Sequence, residues 1–305
     1  MYPQTPLKTY LYPVSTGTKS DMLIINEYIN KMLMKPTRQY ITLLERLFPY
    51  RFLAAKMTRI PFMRGLLDKM FFDQTNITVL PKESVIEVQL KEKIKPPDSI
   101  VLPSEVVEYF IRKTSYRFIM NFCLCREAMN CKNHPIEYGC LFLGEAARGI
   151  NPEFGREASL DEAVEYIKKC CEEGLIHLIG RDKIDETWLG VNSPGKLLTI
   201  CNCCSCCCLW RMLSNLDSMI NSKVKRMPGV EVIVSEKCNG CGTCIEHCFV
   251  QAITLQNGKA VISEECKGCG RCAERCPNKA IDVLINDSEY IKQTIDRVES
   301  SVNVC

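Results

Sequence analysis

Two runs of four cysteines constrain the fold of this chain more than any other feature. The runs are Cys238-x2-Cys241-x2-Cys244-x3-Cys248 and Cys266-x2-Cys269-x2-Cys272-x3-Cys276, the second followed by Pro277. Three cysteines on one tight loop can bind three iron corners of a cube, while the fourth, which opens a short helix, reaches a second cube. The spacing therefore predicts two [4Fe–4S] clusters with interleaved ligands.

The interleaving divides the eight cysteines into two predicted ligand sets. One cluster is assigned Cys238, Cys241, Cys244 and Cys276, and the other is assigned Cys266, Cys269, Cys272 and Cys248. Paired zinc knuckles are rejected, because the runs do not provide two separated pairs of cysteines. Between the runs, Asn257-Gly258 separates two apolar segments and predicts a hairpin that shields the clusters from water.

Over about residues 230–285 the chain resembles the bacterial dicluster ferredoxins. The resemblance implies a βαββαβ fold with pseudo-twofold symmetry and low-potential transfer of single electrons. One position departs from the pattern, since Phe249 follows the first run where proline is usual. The departure affects the packing expected around the cluster that Cys248 binds and leaves the ligands intact.

Ten further cysteines lie upstream in two groups that match no standard ferredoxin or zinc-finger spacing. The groups are Cys123, Cys125, Cys131 and Cys140, and then Cys201, Cys203, Cys204, Cys206, Cys207 and Cys208. Thiols packed so closely would be open to oxidation or stray metals unless a resident metal occupied them. One or more further Fe–S clusters are the preferred interpretation. Structural zinc and a mixed or catalytic metal–thiolate centre are the alternatives.

The upstream motifs resemble a family of ferredoxin-domain proteins from anaerobic bacteria and archaea. The resemblance rests on Cys-Leu-Cys-Arg at 123–126, Gly-Leu-Ile-His at 174–177 and Cys-Asn-Cys-Cys-Ser-Cys-Cys-Cys at 201–208. It implies anaerobic electron transfer and additional iron–sulfur ligation, without any assigned substrate chemistry. His134, His177 and the pair Cys170-Cys171 are interpreted as packing residues.

Local patterns predict an α+β protein of three segments. Residues 1–100 are predicted to be a basic helical region with short strands and a linker. Residues 101–229 are predicted to be a mostly helical Cys-rich domain, and residues 230–305 a dicluster ferredoxin domain with a C-terminal helix. Helices are expected from Ser104, after the capping box of Ser159 and Glu162, and over 288–299, with a strand at 175–179.

Positive charge is concentrated near the N-terminus, where residues 1–75 carry 11 Lys and Arg against 5 Asp and Glu. Residues 51–72 are cationic and amphipathic, a composition that suits peripheral contact with anionic membranes or a partner. Packing on the protein's own core is preferred, since Pro61 shortens the amphipathic face. Nucleic-acid binding is excluded, because the charge is modest and no reader motif accompanies it.

Composition and the remaining motifs reduce the range of possible functions. A hydrophobic content of 46% and a charged content of 25% are those of a globular protein. Residues 1–11 lack the apolar stretch of an export signal, so a cytoplasmic protein is expected. The sequence contains no recognisable nucleotide-binding loop and no recognisable Ser/His/Asp set.

The sequence therefore predicts an iron–sulfur relay between redox partner proteins, acting as the electron-transfer subunit of an anaerobic oxidoreductase complex. One alternative is a reductase whose upstream centre reduces a small molecule, a disulfide or a protein-bound cofactor. The other alternative is a metal- or redox-sensing interaction protein.

Overall fold

The computed structural model describes residues 36–88, 103–191 and 195–305. Its α-helices are α1 (Arg38–Leu47), α2 (Arg51–Met57), α3 (Pro61–Leu67), α4 (Pro103–Lys113), α5 (Leu124–Ala128), α6 (Leu160–Glu172), α7 (Lys183–Trp188), α8 (Ser218–Asn221), α9 (Thr243–His247), α10 (Arg271–Glu274) and α11 (Tyr290–Glu299). Its strands are β1 (Asn76–Val79), β2 (Ile86–Val88), β3 (Arg117–Met120), β4 (Leu141–Leu143), β5 (Gly155–Glu157), β6 (Ile176–Arg181), β7 (Leu198–Cys203), β8 (Val224–Arg226), β9 (Val230–Val234), β10 (Ile253–Gln256), β11 (Lys259–Ile262) and β12 (Ile281–Ile285).

A seven-stranded sheet forms the centre of the upstream region, in the order β5-β3-β4-β7-β6-β1-β8. Neighbouring strands are antiparallel except β1 and β8, which run in parallel. Every residue of β6 and β7 is buried. The expectation of a mostly helical Cys-rich domain therefore does not describe this region, because short apolar runs give no periodicity that separates a buried strand from a buried helix.

A second sheet and a hairpin build the C-terminal region. The sheet has the order β2-β12-β9, and β10 pairs with β11. From β9 to β12 the elements follow in the predicted order βαββαβ. Asn257 and Gly258 have φ of +50° and +73°, which is the turn geometry expected of Asn-Gly in a two-residue hairpin.

One apolar core joins the elements on either side of residue 229. Phe110 of α4 and Leu198 of β7 lie in the same buried cluster as Val283 of β12 and Val298 of α11. Strand β2 also pairs in parallel with β12, so a segment from the N-terminal part of the chain completes the C-terminal sheet. Residues 36–305 group as one unit, and the boundary expected near residue 100 falls outside the described residues.

The helices expected from capping and periodicity are confirmed. The capping box at the start of α6 is complete, because the Glu162 N–H donates to Ser159 Oγ at 3.2 Å and the Ser159 N–H donates to Glu162 Oε2 at 2.8 Å. Helix α4 buries Val106, Val107 and Phe110, which the sequence placed on one face.

Residues 51–72 pack on the protein's own core through Ala55 and Phe72. Arg51 is buried, and its guanidinium lies 4.1 Å from the centre of the Phe48 ring. Large apolar side chains remain exposed on the outer face of these helices, with Phe62 82% exposed. No helix in the described ranges is long and apolar enough to cross a membrane.

Gly180 provides a test of the close pairing between β1 and β6. Its φ is +151°, and a Cβ at this position would lie 2.0 Å from the carbonyl oxygen of Asn76. We expect Gly180→Ala to push the strands apart and lower the free energy of unfolding by about 1–3 kcal/mol. The measurement is the thermal midpoint followed by circular dichroism under anaerobic conditions.

Gly65→Ala is the matched control, because Gly65 lies in α3 and, apart from its chain neighbours and the helix's own backbone, no atom would lie within 4 Å of its Cβ. Replacing a helical glycine at an open position should raise the free energy of unfolding by about 0.5–1 kcal/mol. Equal thermal midpoints for the Gly180 variant and the unaltered protein would contradict the close pairing of β1 with β6.

Candidate iron–sulfur and thiolate centres

Four cysteines of the C-terminal region line one small cavity, namely Cys238, Cys241, Cys244 and Cys276. The first three lie on the loop that enters α9 and on α9 itself, while Cys276 follows α10. Gly240 has φ of +72°, and a Cβ there would lie 2.3 Å from the Gly258 carbonyl oxygen. Glycine thus lets this loop pass close under the hairpin turn.

The other four cysteines of the two runs, Cys248, Cys266, Cys269 and Cys272, form a second group. Burial raises the pKa of the Cys272 thiol, and the three neighbouring thiols raise it further. The pKa of Cys266 is also raised, first by burial, with Cys248 among the further causes. Buried thiols that raise one another's pKa can all ionise once a metal replaces their protons.

Backbone amides face the sulfurs at matching positions of the two runs. The Ala252 N–H donates to Cys248 Sγ at 3.2 Å, and the Ala280 N–H donates to Cys276 Sγ at 3.3 Å. Each donor lies four residues after its cysteine. Such N–H···S contacts stabilise cluster-bound thiolates, so the residues present fit two [4Fe–4S] clusters with four ligands each.

The C-terminal region has a known family. Residues 230–277 match the family model of the 4Fe-4S dicluster domain. This stretch is a dicluster domain. All eight cysteines of the two groups lie within the match. No curated protein and no solved structure gives a significant match to this chain.

Four of the ten upstream cysteines converge tightly in what we call the outer quartet, which consists of Cys131, Cys204, Cys206 and Cys207. Their four Sγ atoms all lie within 4.8 Å of one another. Cys131 follows α5, whereas Cys204 directly follows β7 and the other two lie in the turn after it. Across the described ranges, no other group of three or more Cys, His, Asp or Glu ligand atoms is as close.

The other six upstream cysteines line an apolar cavity of about 460 Å³. These cavity cysteines are Cys123, Cys125, Cys140, Cys201, Cys203 and Cys208, and Cys204 of the outer quartet borders the same cavity. Cys203 Sγ and Cys208 Sγ are 3.0 Å apart, and the cavity extends past the thiols to Phe48 and Trp188. Each site therefore combines cysteines from both upstream groups. The sequence analysis had grouped these cysteines only by their position along the chain.

Three buried arginines, Arg51, Arg126 and Arg271, surround the cavity cysteines. Each has a side-chain nitrogen that is buried without a hydrogen-bond partner. Burial works to lower the pKa of Arg126, yet the thiols of Cys123, Cys204 and Cys203 raise it above its ordinary value. A buried cation without a counter-charge is strongly unfavourable, so the residues present fit an anionic metal–thiolate group in this cavity.

Arg271 connects the dicluster domain to the cavity cysteines. It lies between Cys269 and Cys272 in sequence, and its guanidinium donates a hydrogen bond to the Cys203 carbonyl. Phe249 is buried in one apolar cluster with Cys203 and Cys208, and Cys248, Cys266 and Cys269 pack against that cluster. The second group of dicluster cysteines therefore adjoins the upstream site.

Several residues at these sites were missed or interpreted differently from the sequence. Cys171 and His177 were interpreted as packing residues, yet they form a polar contact of 3.0 Å. Asn202 stands between two cavity cysteines in β7, and the alternation of side chains along a strand could have placed it on the opposite face. Nothing in the sequence marks Arg51 or Arg271 as buried.

The interleaving of the dicluster ligands can be tested with double variants. Cys244→Ala combined with Cys276→Ala removes two ligands from one group, so we expect one cluster to remain. Cys244→Ala combined with Cys248→Ala removes one ligand from each group and should disturb both clusters. Iron per chain, measured by mass spectrometry after anaerobic purification, should fall by about four atoms in the first variant and by more in the second.

Cys305→Ser is the control for these variants, because Cys305 is exposed and belongs to neither group. Equal iron loss in the two double variants would contradict the interleaved grouping.

Proposed function

We propose that this protein relays single electrons between its dicluster domain and a second metal–thiolate centre held by the cavity cysteines. The observation that supports the proposal is the junction at Arg271. There the second group of dicluster cysteines packs against the apolar side chains that surround Cys203 and Cys208. Contact through buried protein atoms, without intervening solvent, favours electron transfer between two bound clusters. A bound cluster supplies the electron-accepting chemistry, and the chain supplies ligands, spacing and shielding from water.

The cavity cysteines are proposed to hold a further iron–sulfur cluster. Thiolate-rich sites select iron–sulfur clusters, zinc or Cu(I) over harder ions. The cavity of about 460 Å³ and the arginines around it provide space and positive charge for a large anionic group. Six thiols exceed the four ligands of one cubane, so the cluster is either unusual or leaves two thiols unbound.

The outer quartet is proposed to bind one zinc ion. Sulfurs of a tetrahedral site with Zn–S bonds of about 2.3 Å lie about 3.8 Å apart. In the outer quartet, Cys131 Sγ and Cys207 Sγ each lie 3.6 Å from Cys206 Sγ. A cubane binds its thiolates on four separate irons and spreads them further. A closed four-thiolate site is structural, and here it would tie the loop after α5 to the end of β7.

A reductase is the second candidate, and the extent of the cavity is the observation that favours it. The cavity continues beyond the thiols to apolar side chains, and two buried carboxyl groups, Asp182 and Asp185, also line it. Burial raises the pKa of Asp185 to about 6. An apolar small molecule could therefore be held close to both an electron donor and a proton donor.

Redox partner proteins are needed to deliver and remove the electrons. The outer face of α2 and α3, where Leu53, Phe62 and Leu66 are exposed, is the surface we propose for such a partner or for an anionic membrane. Free thiols in this number suit a reducing compartment, which supports the proposal of an anaerobic, cytoplasmic protein.

Metal content tests the assignment of the two upstream sites. Anaerobically purified protein should contain about 12 irons and about 12 sulfides per chain, together with one zinc. Cys206→Ser combined with Cys207→Ser, two members of the outer quartet that do not line the cavity, should lose the zinc and keep the iron. Cys201→Ser combined with Cys203→Ser should lose about four irons and keep the zinc. Only eight irons in the unaltered protein, or iron loss in the outer-quartet variant, would contradict these assignments.

Magnetic coupling tests the relay itself. Electron paramagnetic resonance of the fully reduced protein should show signals broadened by interaction between dicluster and upstream centres, because the two sites are in contact. In the Cys201→Ser and Cys203→Ser variant the dicluster signals should sharpen while their intensity is retained. Identical line shapes in the variant and in the unaltered protein would mean that no paramagnetic centre adjoins the dicluster domain.

A further inference from the structure

Cys171, His177 and Asn202 form a chain of side-chain contacts, and none of the three is a proposed metal ligand. Cys171 Sγ lies 3.0 Å from His177 Nε2, and His177 Nδ1 lies 2.8 Å from Asn202 Oδ1. Cys171 is in the last turn of α6, His177 is in β6 and Asn202 is opposite it in β7. The three elements that place these groups are thus fixed by the main sheet and its capping helix.

The hydrogen-bond network settles which nitrogen of His177 carries the proton. Asn202 Nδ2 donates to the Gly139 carbonyl at 2.7 Å, so Asn202 Oδ1 must be the atom that faces His177. An amide oxygen only accepts, and His177 Nδ1 therefore donates to it. In the neutral ring Nε2 is then unprotonated and accepts from the Cys171 thiol. A thiol, a base and a group that orients the base are the components of an activated nucleophile.

The thiol borders a cavity that is separate from the cavity cysteines. This cavity has a volume of about 280 Å³, and Cys171 and His177 line it together with Lys82, Glu83 and Ser104. Cys171 is half-buried, and within the described residues it is the only cysteine that lines this cavity. The neighbouring Cys170 is fully buried in a different cluster with Cys204 and Cys207.

We propose that Cys171 is a nucleophile for acyl transfer, with His177 as its general base and Asn202 as a positioning residue. The substrate class is a small activated acyl group, such as an ester or a thioester. Cys171 Sγ forms a bond to the acyl carbon as its proton moves to His177 Nε2. The bond from the acyl carbon to the leaving group then breaks, and His177 returns the proton to that leaving group, so no electrons are gained or lost.

Disulfide exchange fits this site less well than acyl transfer. It needs a second thiol close to the first, and no other cysteine within the described ranges borders the cavity. Burial raises the pKa of Cys171 to about 11 and lowers the pKa of His177. The resting pair is therefore a neutral thiol beside a neutral imidazole, which suits a base that acts during attack on a carbonyl.

The apolar wall of the cavity supports the choice of a small acyl group. Leu80, Pro81, Pro103 and Leu175 provide this wall. The volume of about 280 Å³ is close to the lower limit of ligand pockets, which begin at about 300 Å³. A short acyl chain could lie against these side chains with its carbonyl carbon toward Cys171.

Acetylation by p-nitrophenyl acetate tests the proposal on the anaerobically purified, metal-loaded full chain. We expect a burst of p-nitrophenolate and an acetyl group on Cys171, located by peptide mass spectrometry. Cys171→Ala should abolish the burst. His177→Gln should slow acetylation of Cys171 by about 100-fold, the usual effect of losing a general base. Iron and zinc content should be unchanged in both variants, which shows that each has folded and that Cys171 is not a metal ligand.

Two controls separate this activity from general thiol reactivity. Cys305 is exposed in the same chain, so its acetylation rate should be equal in all variants. Asn202→Asp keeps an acceptor for His177 Nδ1 and should retain acetylation, whereas Asn202→Ala should slow it by at most the factor seen for His177→Gln, at unchanged iron content. Equal acetylation of Cys171 with and without His177 would overturn the proposal. Labelling of Cys305 without Cys171, or loss of metal in Cys171→Ala, would overturn it as well.

Discussion

The antiparallel pairing of β6 with β7 determines which side chains of the cysteine-rich segment meet. It sets His177 opposite Asn202 and Ile176 opposite Cys203. Because side chains alternate along a strand, Cys201 and Cys203 point to one face while Asn202 points to the other. A shift of one residue would exchange these faces and abolish both the thiol cavity and the contact between His177 and Asn202. Complete burial of both strands makes such a shift unfavourable.

Electrostatics impose the second constraint on the upstream region. Arg51, Arg126 and Arg271 are buried around thiols that, as neutral groups, could not balance their charge. Removing one partner of a buried charge pair typically costs about 3–5 kcal/mol. If the proposed metal–thiolate centre supplies the missing negative charge, the protein without it should be considerably less stable than the loaded protein, and metal binding would then be linked to folding stability in this region.

Local signals in the sequence correctly predicted the structural features that depend only on residues close together in the chain. The two C-x2-C-x2-C-x3-C runs fix the dicluster loops because each run supplies three ligands from one turn of chain. The capping box at Ser159 and the Asn-Gly turn at 257–258 are similarly short-range, and the structure contains both. These signals sufficed for the order of elements from β9 to β12 and for the approximate starts of several helices, but not for β2, which completes the C-terminal sheet.

Contacts between distant residues could not be predicted in the same way. The outer quartet joins Cys131 to a turn more than 70 residues later, as the pairing with Cys206 shows, and no spacing rule covers that distance. Strand β4 is a short apolar run without alternation, so its type was ambiguous. Pro61, which was read as a helix breaker, is the first residue of α3, a position where proline is well tolerated.

The parallel pairing of β2 with β12 has a consequence for biosynthesis. Ile86 leaves the ribosome early, and its partner Val283 follows roughly 200 residues later. Until then the edge of β2 has no strand to bind, and the dicluster ligands themselves have not all been translated. Because each predicted ligand set includes cysteines of the second run, cofactor insertion into this domain would be completed only after the segment up to Cys276 has been translated.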